Sequence, residues 1–202
     1  MNFIINRFAV VPDQLPMEEI LRYMGMGKDA MNGDLEYRIQ QLIPRFLEAI
    51  KCRACWMELP LRISGSAIDM DLMSVESENL TTNLIGCDKV IAFAATIGGD
   101  ADRLCRSASF HAPFNALVYD AMGSTAIEWL CDALCKELSF LYPTHRLRPR
   151  FSPGYGDLPL SFQRELLRML DAQRSIGLTL SESLMMIPQK SVTAFVGLRP
   201  NY

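Results

Sequence analysis

Arg150 opens the stretch Arg-Phe-Ser-Pro-Gly-Tyr-Gly-Asp-Leu-Pro, residues 150 to 159. Pro149 and Pro153 stiffen the backbone on both sides of it, because each proline ring locks φ. Gly154 and Gly156 leave bare main chain, against which a ligand can lie directly. A guanidinium is a planar fork that matches a carboxylate. The ring of Tyr155 offers a face suited to a purine or a cation. A loop this stiff loses little entropy on binding. Such a loop would hold a small ligand carrying a carboxylate. A tight turn with Arg150 in a surface salt bridge is the plainer reading, and composition alone leaves the two about even.

The other candidate chemistry is weaker. Cys52 and Cys55 form a C-x-x-C, while Cys131 and Cys135 sit one helical turn apart. Together they would be four zinc ligands, but the second pair lacks the usual spacing and the first leads into a strand rather than a helix. Buried structural thiols are the preferred reading for all six cysteines. The two histidines, His111 and His145, have no nucleophile beside them in sequence, so no hydrolytic triad is indicated. Thr-Ile-Gly-Gly-Asp at 96 to 100 lacks the G-K-[ST] of a phosphate loop; it reads as a strand-to-helix turn. Asp120, Glu128 and Asp132 share one helical stretch, with Glu128 and Asp132 four residues apart and facing the same way. Asp132 reads as solvated. Glu128 lies among Ile127, Trp129 and Leu130 and would need a cationic partner if covered.

The elements that must position these residues follow from periodicity. Residues 16–26 read as a short helix ending near Gly25. Residues 34–50 read as an amphipathic helix that Pro44 should kink or split. Three strand-like runs follow, and Val-Ile-Ala-Phe-Ala-Ala-Thr-Ile at 90–97 is apolar enough to be buried on both faces of a sheet. A short helix near 100–109 precedes a long one over about 115–140, with Gly123 inside it. That glycine suggests close packing or a ligand pressed on the helix. Residues 142–150 read as a loop, and 161–177 as one helix with Ser161 as its cap and Gly177 as its stop. The tail from 178 to 198 reads as two strands around Pro188. The sum is a single α+β domain over residues 1–202, a twisted, mostly antiparallel sheet with helices packed on one side.

Totals exclude several roles. A net charge of −3 and a pI near 5.4 leave no basic surplus for nucleic acid. No apolar run approaches a membrane span. The start has no basic region or cleavage site, so it reads as a first strand rather than a signal peptide. Scattered cysteines and twelve methionines suit a cytoplasmic protein.

Arg150-Phe-Ser-Pro-Gly154-Tyr155 resembles the R-x-x-x-G-Y signature of the activation domain of cobalamin-dependent methionine synthase. The run Leu178 to Phe195 is similar to that family's L-T-E-S-x-x-M-x-P-x-x-S-V-S-G segment, with Ser181-Glu182-Ser183, Met186, Pro188, Ser191 and Val192 in matching places. Thr125 to Leu134 resembles the helix that precedes the signature, so the likeness covers roughly the last hundred residues. The resemblance implies an activation domain-like fold that binds S-adenosylmethionine and has no catalytic acid or base of its own. It implies reactivation of a cobalamin-binding methionine synthase that lacks this domain, by reductive methylation of cob(II)alamin. Cobalamin would be carried by that partner, and flavodoxin or ferredoxin would supply the electron. Carried over, Arg150 pairs with the methionyl carboxylate, the backbone at Ser152 and Gly154 lies along the ligand, and Tyr155 flanks it. The family's acidic helix residue falls near Ser124, with Glu128 one turn on as the candidate contact. Three departures stand out. Gly156-Asp157-Leu158-Pro159 replaces P-A-C-P, the family's early aspartate has no match in residues 1–30, and Tyr202 falls short of the family's late tyrosine. The missing aspartate and the early end favour an alternative, an interaction protein that docks on a cobalamin domain without ligand; a reactivation partner of another corrinoid methyltransferase is a further alternative.

Overall fold

The computed structural model describes residues 3–27 and 32–201. In chain order the elements begin with β1 (Phe3–Phe8), α1 (Met17–Tyr23), α2 (Gly33–Gln40), α3 (Ile43–Ala49), β2 (Cys52–Pro60), β3 (Arg62–Ser64), β4 (Ala67–Asp69) and β5 (Ser74–Glu76). They continue with α4 (Glu78–Leu84), β6 (Lys89–Thr96), α5 (Gly99–His111), α6 (Pro113–Leu141), β7 (His145–Leu147), α7 (Gln163–Met169), α8 (Ala172–Ile176), β8 (Thr179–Leu180), β9 (Met186–Ile187) and β10 (Ser191–Pro200).

The main sheet has the order β1-β2-β6-β10-β7, antiparallel throughout. Its middle strand is β6, the run read from sequence as apolar on both sides. Alternation sends Ile91, Phe93 and Ala95 to one face and Val90, Ala92 and Ala94 to the other. The first face is covered by α1, α2, α3, α5 and the 29-residue α6. The long helices therefore gather on one side, as expected of an α+β domain. The opposite face is covered too, by α4, α7, α8 and the small sheet β3-β4-β5.

Local chemistry explains the breaks. Pro44 lies in the first turn of α3, where its missing N–H costs nothing, so the 34–50 stretch divides there. Gly25 and Gly177 both have positive φ, 74° in each case, and end α1 and α8. Three expectations need correction. Residues 145–147 are not loop but strand β7, paired with the end of β10. The tail holds a short hairpin, β8 with β9, before β10 rather than two strands only. The 161–177 stretch is two helices, and Ser161 is not their cap: it lies in a 3-10 turn, with Phe162 at the cap position of α7. The break falls at Asp171, which is left-handed with φ 41°. A straight helix would turn Ala172 and Ile176 away from Leu166, Leu167 and Leu170. The break brings all five back to the sheet, where each is buried.

Candidate functional site

Gly123 lies buried within α6, and the atoms nearest to where a Cβ would stand belong to the stem of Lys190, 3.1 to 3.4 Å away. The close packing expected at this glycine is thus a lysine laid across the helix. Its Nζ reaches Ser124 Oγ at 2.8 Å and Asp120 Oδ1 at 2.8 Å. One and two turns further along the same helix, Glu128 and Asp132 meet Arg150. Nη2 of Arg150 is 2.9 Å from Glu128 Oε2 and 3.1 Å from Asp132 Oδ1. Asp120, Ser124, Glu128 and Asp132 recur every four residues, so they form one polar stripe on α6. The stripe is met by a cation from each of the two sequence segments that carried the resemblance.

β10 makes this convergence possible. Phe151 exchanges backbone hydrogen bonds with Phe195, which lays the signature along the strand. Lys190 immediately precedes the same strand, and its carbonyl accepts from Ile97 N–H. The Ser191 hydroxyl lies 2.7 Å from the Pro188 carbonyl and 2.8 Å from the Thr96 hydroxyl. Gly98 N–H donates to Thr96 Oγ1, and Asp102 accepts from Gln189 N–H. The Thr-Ile-Gly-Gly-Asp turn therefore braces the loop that holds Lys190.

Arg150 is partly buried, with 26% of its side chain exposed. Burial works against its charge, but Cys131 and the carboxylates of Glu128 and Asp132 outweigh it and raise its pKa. Tyr155 does not stand beside it. Its ring packs on Phe151 at 6.4 Å between centroids and is 67% exposed. Successive residues of an extended segment point to opposite faces: Arg150 turns to α6, whereas Phe151, with Tyr155 against it, goes to the other face. Ser152 is half-buried and Gly154 exposed. The bend is closed by its own backbone, with Gly154 N–H donating to Leu158 and Tyr155 N–H to Ser152.

Asp157, read only as a departure from the family pattern, fastens the bend to the start of α4. It accepts from Ser77 Oγ and from the N–H groups of Glu78 and Asn79, while its own N–H donates to Asn79 Oδ1. The Ser77 hydroxyl and those N–H groups hold its pKa below the usual carboxylate range. The sequence also missed Lys190; its place two residues after Pro188 in the quoted run was the available signal. Asp132 is 73% exposed, as expected, yet still reaches Arg150. Tyr202 lies outside the described residues.

The cysteine pairs separate. Cys52 and Cys55 lie on opposite faces of the sheet, because a spacing of three residues is odd in a strand. Burial pushes Cys52, Cys55 and Cys131 up to about 12. Among the described residues, no group of three or more His, Cys, Asp or Glu side chains could hold a metal, and no helix is long and apolar enough to cross a membrane.

This curled antiparallel sheet, with a long polar-striped helix across one face, defines the class of α+β protein to which known structures can be compared. Residues 144–202 match the family model of the vitamin B12 dependent methionine synthase activation domain. The matched part includes the signature and the Lys190 segment; the α6 stripe lies before it. The whole chain superposes on 80% of the crystal structure of the MetH reactivation domain bound to AdoHcy, with a TM-score of 0.79 and 15% identity. No curated protein matches the sequence significantly. The C-terminal segment 144–202 is thus similar to that family, and the fold of the whole chain is that of the reactivation domain.

Proposed function

We propose that the protein binds S-adenosylmethionine at the edge of β10 beside α6. There it would support reductive methylation of cob(II)alamin held by a methionine synthase without this domain. The observation that carries the reading is the convergence of Arg150 and Lys190 on one stripe of α6. Arg150 makes both its carboxylate contacts through Nη2, and a guanidinium has five N–H donors. The methionyl carboxylate would take the remaining edge of the fork. Ser152 and Gly154 would lie along the ligand and Tyr155, exposed, would close over it. Glu128 would hold Arg150 from behind as well as face the sulfonium. The chain supplies position rather than proton transfer. The electron would come from flavodoxin or ferredoxin, in the cytoplasm.

Calorimetric titration with S-adenosylmethionine tests the binding. A reactivation assay with a methionine synthase truncated before its activation domain tests the role. Saturable heat and recovered turnover are expected; no heat at millimolar ligand, with and without the partner, would sink the reading.

A second reading is favoured by one observation. Arg150 already faces two carboxylates and Tyr155 has turned to Phe151. A chain that docks on a cobalamin domain without ligand would show that arrangement permanently, and its effect on the partner would survive Arg150→Ala. A partner other than methionine synthase, among corrinoid methyltransferases, would show itself in the same assay.

A further inference from the structure

Arg168 and Asp171 carry opposite charges and line the same cavity, yet they do not pair with one another. In an unbroken helix, residues three apart face the same way and such a pair closes on itself. Here α7 ends between them, with Asp171 left-handed, and the Asp171 carboxylate does not cap α8 either. Among the described residues neither side chain has a hydrogen bond or an ion pair. The cavity holds about 330 Å³, at the small end of the range for small-molecule sites. It lies between α7, α8 and β8, on the face of the sheet opposite α6. Leu167, Ala172 and Leu178 are buried and form its apolar floor. Gln173 and Thr179 line it with side chains that also have no hydrogen bond among the described residues. Arg164 lines it too, but its Nη2 donates to the Glu182 carbonyl at 3.1 Å and so ties α7 to the β8–β9 hairpin. Among the described residues the wall thus offers a free guanidinium, a free carboxylate and an apolar floor.

We infer that this cavity binds a free α-amino acid with an apolar side chain. Such a zwitterion carries both its charges on a single carbon and so answers Arg168 and Asp171 together. The guanidinium fork takes the carboxylate, and Asp171 accepts from the ammonium. Thr179 and Gln173 supply donors and acceptors for the hydrogen bonds that remain. Leu167, Ala172 and Leu178 cover the side chain, which gains by leaving water. An anion alone would meet the Asp171 carboxylate and a cation alone the Arg168 guanidinium, so the pair selects against both. The site is separate from the α6 stripe and does not depend on what binds there.

The test is titration of the full chain with L-leucine, L-leucinamide and N-acetyl-L-leucine, followed by amide chemical shifts and by melting. Leucinamide keeps the ammonium and lacks the carboxylate; N-acetyl-leucine does the reverse. L-leucine is expected to bind at least roughly tenfold tighter than either, since each analogue forfeits a charge-assisted contact. It should shift Leu167, Ala172 and Thr179 and raise Tm. Arg168→Gln and Asp171→Asn should each weaken L-leucine at least roughly tenfold. Both variants should leave the Tm of the free protein unchanged, because Arg168 is exposed and asparagine accepts a left-handed backbone as aspartate does. Three results would overturn the site: no saturable binding at millimolar L-leucine, equal binding of the three probes, or shifts confined to other surfaces. Unaltered L-leucine affinity in either variant would overturn it as well. So would a marked fall in Tm of free Arg168→Gln, since it would show that the guanidinium has a structural partner.

Discussion

Nη2 of Arg150 lies 2.9 Å from Oε2 of Glu128, and this contact ties the proline-stiffened bend to the middle of α6. Energetically the tie is modest. Glu128 is 47% exposed and Asp132 73% exposed, so water readily replaces the guanidinium. Arg150→Ala should cost under about 1 kcal/mol of stability. The same change removes the proposed fork for a carboxylate, and a hydrogen bond to a charged group contributes about 1.5–3 kcal/mol. S-adenosylmethionine affinity should therefore fall by at least roughly tenfold. Melting and calorimetry on the same variant read the two effects apart, and unchanged affinity would favour the ligand-free reading.

Gly156 sets the far end of the bend. Its φ is +54°, and a Cβ built there would come within 2.2 Å of Asn79 Oδ1. A left-handed alanine costs about 1–2 kcal/mol in backbone energy alone, and the contact with Asn79 adds to it. Gly156→Ala should destabilise by roughly 2 kcal/mol or more and free the bend from α4. Chemical denaturation checks the first effect, and faster amide exchange at Glu78 and Asn79 checks the second.

The attachment should also respond to acid. Asp157 has a depressed pKa in the folded chain, so its contribution is fully present above its ordinary value of 3.8. It is lost as pH falls from there through the lower, folded value. Tm followed from about pH 5 down to about pH 2 should fall less steeply in Asp157→Asn than in the parent, because the variant has no such proton to take up. Equal slopes would show that Asp157 contributes nothing to the linkage.

Much of the fold is legible in the amino-acid sequence. Residues 90–97 announce a central strand because almost no position in them is polar. Pro44 announces a break because it lacks an N–H. The site is legible only in pieces. Arg150 and Glu128 lie 22 residues apart, and nothing local says that Phe151 pairs with Phe195 and so swings Arg150 toward α6. The same pairing sends Tyr155 to the other face, which proximity in sequence conceals. Lys190 and Asp157 are silent because their partners, Gly123 and α4, are distant in the chain. The break at Asp171 is hidden for a different reason. Its cause is the need to bring Ala172 and Ile176 back to the sheet, and that need exists only once the sheet does.

Thiol chemistry offers a separate check on the core. Cys52, Cys55 and Cys131, pushed up to about 12, hold almost no thiolate near neutrality, and thiolate is the reactive form. A thiol reagent at about pH 8 should leave these three unmodified in the native protein. Cys87, Cys105 and Cys135 are less buried and should react first. Unfolding should expose all six. Early labelling of Cys52 together with Cys55, read by peptide mass, would contradict their placement on opposite faces of the sheet.

Gly197 carries the last prediction. It sits in β10, on the face covered by α4, where a Cβ would come within 2.6 Å of Cys87 Sγ, 2.8 Å of Leu84 Cδ2 and 3.1 Å of Arg148 Cγ. Leu84 is fully buried, so it has nowhere to move. The Arg148 backbone is fixed by its N–H bond to the Gly197 carbonyl, and its Nε donates to Asn83 at 2.7 Å. Overpacking of a filled site costs about 1–3 kcal/mol, and here three neighbours must yield together. Gly197→Ala should therefore destabilise by roughly 2–3 kcal/mol. Cys87→Ala in the same chain should restore part of the loss, since it removes the nearest clashing atom. A double-mutant cycle in urea measures the coupling, and strict additivity would mean that the strand has shifted away from α4 instead.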